Sequence, residues 1–82
     1  MKANSILTNI FLSAKSKAEM ENLIEGIFTP SEKEELVQRL EIIKMLKKGI
    51  AQRTISEKLG VGIATITRGA KEIKEGKFKY VK

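Results

Sequence analysis

The side chains best suited to chemistry in this sequence lie between residues 52 and 72, where basic and hydroxylated residues alternate with apolar ones. Arg53 can fork onto a guanine edge or hold a phosphate, and Lys58 and Lys71 suit contacts with the phosphate backbone. Small and hydroxylated residues that open a helix can approach base edges in the major groove. The candidate DNA-contacting residues are Arg53, Ser56, Lys58, Ile63, Ala64, Thr65, Thr67 and Lys71. This chemistry is recognition of double-stranded DNA, with the lysines setting affinity more than sequence choice.

Residues for catalysis are scarce in the same sequence. The 82 residues include no His and no Cys, which removes the commonest general base, the best nucleophile and the commonest metal ligands. Only carboxylates, lysines, hydroxyl groups and Tyr80 are left for acid, base or nucleophilic work. We therefore expect a protein that is not an enzyme and holds no metal.

Positive charge is concentrated in the second half of the chain. Residues 1–43 carry five Lys or Arg against seven Asp or Glu, whereas residues 44–82 carry eleven against three. The overall formal charge of +6 indicates an anionic partner, either nucleic acid or an acidic membrane surface. A solvated lysine-rich surface that only keeps the protein soluble is the plainer interpretation.

The sequence contains no pattern of a signal peptide or of a membrane span. Its longest apolar cluster near the start, Ile10 to Leu12, is too short for either. We expect a cytoplasmic protein without a membrane partner.

Two short helices joined by a tight turn are predicted over residues 52–75, and they would position the DNA-contacting side chains. Ser56 is small enough for a close approach of the helices, and Gly60 can adopt the left-handed backbone that the turn needs. The residues expected to face inward are Ile55, Leu59, Val61, Ile63, Ile66 and Ala70. The pattern predicts a helix-turn-helix, with an ordinary helical hairpin as the alternative.

A longer scaffold helix is predicted over residues 30–48. Thr29 supplies the N-cap, Pro30 the first helical position, and Glu32 the return bond of a capping box. Lysines at the end of the helix and Gly49 beyond it form a typical stop signal. No strand signal interrupts the helical spacing, so the expected class is all-α, a small multi-helix domain.

Two further helices are predicted over residues 1–28. The first runs from about Asn4 to Ala14 with one apolar face, and the second begins at a capping box formed by Ser16 and Glu19. A single domain of this size buries too little surface to be comfortably stable alone, so we expect these helices to form a homodimer. The residues from Gly76 onward are expected to be a frayed or extended end.

Residues from about 26 to 75 are similar to a known family. Thr29-Pro30, Arg39, Gln52-Arg53 and above all the run GVGIATITRG at residues 60–69 resemble the tryptophan repressor. The resemblance covers about residues 26–75 and implies an intertwined dimer that binds a roughly palindromic operator. It also implies L-tryptophan, or a related amino acid, as corepressor between the scaffold helix and the recognition helix.

The resemblance further implies a set of ligand-binding residues. In the family pattern, Arg39 holds the ligand carboxylate with help from Thr29, and Arg68 lies over the indole ring. Gly69 costs about 1 kcal/mol inside a helix, so a close approach by a ligand or another backbone would explain it. The full set is Phe28, Thr29, Arg39, Ile42, Ile43, Arg68, Gly69 and Glu72.

Plainer roles stay open for three of these residues. Thr29 is already explained as an N-cap, Arg39 can form an i, i+4 pair with Glu35, and Arg68 can contact a phosphate. Capping, pairing or phosphate contact would each account for the residue without a ligand.

Two other functions also stay open. The first is a helix-turn-helix protein that binds DNA without a ligand. Glu72 favours it, because the family pattern has a serine hydroxyl at this position and a carboxylate there could spoil the pocket. In addition, the residues after Gly76 are too few for the further helix that closes the family's fold. A protein-interaction or membrane-surface module is the second, using the apolar face near Ile10 and the lysine-rich end.

Overall fold

The structure is a computed structural model that describes residues 2–82. The described residues form five helices: α1 (Ala3–Leu12), α2 (Lys17–Ile27), α3 (Pro30–Lys47), α4 (Gln52–Leu59) and α5 (Ile63–Lys74). They contain no strand, and the predicted all-α class is confirmed. None of these helices is long and apolar enough to cross a membrane.

The chain divides into two compact units within α3. The first unit runs to Lys33, and the second unit comprises Glu34–Lys82. The first therefore contains α1, α2 and the opening turn of α3, while the second contains the rest of α3, α4 and α5. The assignment of residues 1–82 to a single domain stays a prediction.

Capping bonds define the helix starts of the first unit as the sequence predicts. The N–H of Glu32 donates to Oγ1 of Thr29 at 3.1 Å, and the N–H of Thr29 donates to Oε1 of Glu32 at 2.8 Å. At α2, the N–H of Glu19 donates to Oγ of Ser16 at 3.1 Å. Its carboxylate accepts from the N–H of Lys15, one residue before the cap. Both predicted helix starts are confirmed.

The core of the second unit is built from isoleucines of three helices. Ile42 and Ile43 of α3, Ile55 of α4 and Ile66 of α5 are all at most 3% exposed. Side chains at both ends of the turn between α4 and α5 pack against this cluster, Leu59 and Val61 among them. This packing fixes α5 against α3 and α4.

The turn between α4 and α5 forms as the sequence predicts. Gly60 has φ +68°, and its N–H donates to the carbonyl of Ser56 at 2.9 Å. The Ser56 hydroxyl donates to the carbonyl of Val61 at 2.6 Å and so bridges the turn. The expectation that Ile63 faces inward is wrong, since it is 47% exposed. Ile63 opens α5, and the buried side of that helix begins one turn later at Ile66.

A glycine inside α5 allows close packing on α3. A Cβ added at Gly69 would lie 3.3 Å from Cδ1 of Ile43 and 3.5 Å from Cγ2 of Ile42. These contacts come from side chains of the chain itself, so the close approach needs no ligand to explain it.

The residues after α5 fold back instead of extending. Lys47 donates from Nζ to the carbonyl of Phe78 and, at 2.7 Å, to that of Val81. Gly76 and Phe78 both have positive φ, which turns the backbone toward the end of α3. The prediction of a frayed or extended end is therefore wrong, because one lysine ammonium binds two carbonyls that would otherwise face water.

Candidate DNA interface and ligand cavity

The predicted DNA-contacting residues lie on the surface of α4 and α5. Arg53 is exposed in the first turn of α4, and Ala64 and Thr65 are exposed in the first turn of α5. Lys58 and Lys71 are also exposed. A helix that presents small side chains at its start and a basic residue from the preceding helix has the layout of a DNA-reading pair. The individual contacts stay predictions.

Two of the predicted hydroxyl groups already have partners within the second unit. The hydroxyl of Thr67 donates to Oε1 of Gln52 at 2.9 Å, joining the start of α4 to the second turn of α5. Ser56 is half-buried, and its hydroxyl donates to the carbonyl of Val61 within the turn. The hydroxyl oxygen of Thr67 keeps both lone pairs and can still accept hydrogen bonds, but Gln52 fixes the orientation of the hydroxyl group. Sequence reasoning missed this Gln52 contact.

A cavity of about 160 Å³ lies between α3 and α5 inside the second unit. Its α3 wall has residues at 35, 38, 39, 42 and 43, and its α5 wall has residues at 65, 68, 69 and 72. The α5 set follows the i, i+3, i+4, i+7 spacing of a single helix face, and the α3 set follows the same spacing with one further residue at i+8. The lining residues are Glu35, Gln38, Arg39, Ile42, Ile43, Thr65, Arg68, Gly69 and Glu72.

Six of the eight predicted ligand-binding residues line this cavity, and the other two belong to the first unit. Phe28 stacks on Phe11 there, with ring centroids 6.5 Å apart and planes 19° apart. Thr29 caps α3. Each of these two has a structural role in its own unit, and a role at the ligand stays a prediction for both.

The walls of the cavity carry both signs of charge over an apolar floor. Within residues 2–82, no carboxylate oxygen lies within 4.0 Å of the Arg39 guanidinium, so the alternative pair with Glu35 is not formed. Nε of Arg68 lies 4.0 Å from Oε2 of Glu72. Arg39 is therefore available to hold an anionic group of a ligand. The described part of the chain holds no group of three or more acidic residues placed to bind a metal ion.

Comparison with known proteins assigns the chain to a family. The model of the family described as "Trp repressor protein" matches residues 3–82.

The chain belongs to the Trp repressor family.

Curated relatives support the same family. A Trp operon repressor homolog of Vibrio vulnificus (strain YJ016) is 55% identical over 53 residues, which are 63% of this chain and 52% of that protein. The homolog of Vibrio campbellii (strain ATCC BAA-1116) is 44% identical over 69 residues, 83% of this chain and 69% of that protein. The chain therefore spans about half the length of the first of these relatives. No solved structure matches the chain.

Membership of the Trp repressor family confirms the resemblance found in the sequence. Three residues that line the cavity were not assigned to it by sequence reasoning. Glu35 was considered only as a partner of Arg39, Gln38 was not considered, and Thr65 was assigned only to DNA. Helical spacing could have identified Glu35 and Gln38 as lining residues, since both share a helix face with Arg39. Thr65 likewise lies one turn before Arg68 on α5.

Proposed function

We propose that this member of the Trp repressor family is a homodimeric DNA-binding repressor whose binding to a roughly palindromic operator depends on L-tryptophan or a related amino acid. The ligand occupies the cavity between α3 and α5 of each protomer. The helix-turn-helix reads the major groove through the start of α5, with Arg53 and the lysines holding phosphates or guanine edges.

One observation carries this proposal: α5, the helix that we propose reads the DNA, is also a wall of the cavity. Thr65, Arg68, Gly69 and Glu72 of α5 line the cavity, and Thr65 is also exposed in the first turn of that helix. A ligand wedged against α3 therefore acts directly on the position of the reading helix. It favours the arrangement in which two such helices stand one turn of DNA apart, about 34 Å.

Exposed apolar side chains of the first unit support the homodimer. Ile6, Leu7 and Ile10 of α1 are 39–45% exposed, and Leu12 is 69% exposed. No residue among 2–33 is fully buried. A second copy of the chain would remove these side chains from water, which is worth roughly 25 cal/mol for each Å² of apolar area covered.

The ligand part of the proposal is tested by titrating L-tryptophan with the protein. The chain has no Trp and one Tyr, so the emission of the ligand can be followed directly. A saturable change that is lost in Arg39→Ala supports the cavity as the binding site. No change with the unaltered protein at millimolar concentration contradicts L-tryptophan as the ligand.

The DNA part is tested by selecting duplex sequences with and without L-tryptophan, using two arginine variants as matched controls. Arg39→Ala should lose the response to ligand and keep salt-sensitive binding to any duplex. Arg53→Ala should keep ligand binding and weaken binding to the selected operator. Operator binding that ignores every amino acid supports a ligand-independent protein instead. Equal binding to all sequences, lost at high salt, contradicts sequence-specific recognition.

A further inference from the structure

Helix α5 is buried against the second unit near its middle and not at its end. Its fully buried residues are Ile66 and Gly69. In residues 70–82, all of which the structure describes, no side chain is fully buried. A helix that is held only near its middle can pivot there, so a second attachment is needed to fix its direction.

The C-terminal segment, residues 75–82, provides an attachment to the end of α3. Lys47 is the last residue of α3, and its Nζ donates to the carbonyl of Phe78 and, at 2.7 Å, to the carbonyl of Val81. The N–H of Val81 also donates to the carbonyl of Phe78 at 3.2 Å, so both acceptors belong to one turn. One ammonium therefore joins the end of α3 to this turn.

The same segment is bonded to the end of α5. The N–H of Lys77 donates to the carbonyl of Glu72 at 3.0 Å, in the last turn of that helix. Phe78, the next residue, has φ +61°, in the left-handed region that side chains with a Cβ rarely adopt. Such a backbone conformation persists where its surroundings hold it. The bonds to α5 on one side and to Lys47 on the other supply that hold.

The two ends of α5 move together because the helix is short and regular. Its 12 residues make it about 18 Å long. Ala64 and Thr65, which we propose approach the base edges, are exposed at its start. The buried contacts at Ile66 and Gly69 lie between this start and the C-terminal segment. A tilt about those contacts that displaces one end therefore also displaces the other.

We propose that Lys47 is a positioning residue for DNA recognition, which links the end of α5 to α3 through the C-terminal segment and so fixes the direction of the reading helix. This inference rests on the proposed function, because it requires α5 to contact the operator. Without the link α5 stays folded but can tilt, and only part of the population then presents the correct geometry to DNA.

The link itself is tested by amide hydrogen exchange, without DNA. Lys47→Met removes the ammonium and keeps a long unbranched side chain that suits a helix. The N–H groups of Lys77 and Val81 should exchange about fivefold faster, as expected for the net loss of about one hydrogen bond. The N–H of the buried Ile55 should keep its rate. Lys48→Met is the matched control, since it removes the same charge from the neighbouring exposed residue.

The positioning role is tested by operator binding in the presence of L-tryptophan. Lys47→Met should weaken binding to the selected operator by about two- to fivefold, whereas Lys48→Met should bind as the unaltered protein does. Lys47→Arg should restore the affinity, because a guanidinium can also donate to two carbonyls. The salt dependence of Lys47→Met should be unchanged, since loss of a direct phosphate contact would reduce its slope by about one.

The outcomes separate this inference from the proposed function. Unchanged exchange at Lys77 and Val81 in Lys47→Met overturns the link. Faster exchange with unchanged operator affinity overturns the positioning role, while the proposed function stands. Equal losses in Lys47→Met and Lys48→Met, or a smaller salt slope, indicate a phosphate contact and also overturn it. If the unaltered protein selects no duplex sequence, the proposed function fails, and the positioning role fails with it.

Discussion

The two units of this chain are both helical but differ in how they bury apolar side chains. The second unit has four isoleucines that are at most 3% exposed, contributed by α3, α4 and α5. In residues 2–33 of the first unit, by contrast, no side chain is fully buried, and Ile6 and Leu7 are 44% and 45% exposed. An apolar face that meets no core within its own chain needs another surface, whereas an internal core can hold a site in place.

The largest effect is expected from removing a core side chain of the second unit. Ile55→Ala should lower the free energy of unfolding by about 2–5 kcal/mol, because a fully buried side chain leaves a cavity. Leu7→Ala in the first unit, where the side chain is 45% exposed, is the matched control. Denaturant unfolding followed by circular dichroism measures both. Equal losses would show that the two units do not differ as described.

A smaller loss is expected from overpacking the contact between α3 and α5. Gly69→Val should destabilise the second unit by about 1–3 kcal/mol, because even a Cβ would lie 3.3 Å from Cδ1 of Ile43. Thermal unfolding measures the effect. Gly26→Val provides the control, since a Cβ there meets nothing within 4 Å. A stabilised Gly69→Val variant would contradict the close packing.

The apolar face of the first unit gives the next prediction. Ile10→Glu should raise the dimer dissociation constant at least about tenfold, which corresponds to about 1.4 kcal/mol, because it places a charge in the expected interface. Sedimentation at several protein concentrations measures the constant. Thr8→Glu adds the same charge to α1 away from the stripe of Ile6 and Ile10. A variant that associates as the unaltered protein does would show that another surface forms the dimer.

The smallest effect concerns the start of α3 in the first unit. Thr29→Ala should cost about 1 kcal/mol of stability, because Glu32 loses the hydroxyl that accepts from its N–H. Thr29→Ser keeps that hydroxyl and should cost much less. L-tryptophan titration of the same variants separates capping from a role at the ligand. Weaker ligand binding in Thr29→Ala at unchanged stability would favour the ligand role.

Local signals in the sequence were sufficient for the helices and their ends. Thr29 with Glu32, Gly49 and Gly60 act through bonds or backbone angles within a few residues, so a linear pattern contains all that is needed. The lining residues Arg39 and Arg68 were found through resemblance to a family. Their neighbour Gln38 was within reach of the same helical spacing.

The sequence by itself determined the all-α class, the helix-turn-helix and the concentration of positive charge in residues 44–82. Only the tertiary structure decided that Thr67 pairs with Gln52, that Lys47 folds back the residues after α5, and that Gly69 packs on α3. These contacts join residues 15–34 positions apart. They depend on which helix faces pack together, and local sequence spacing does not predict which faces those are.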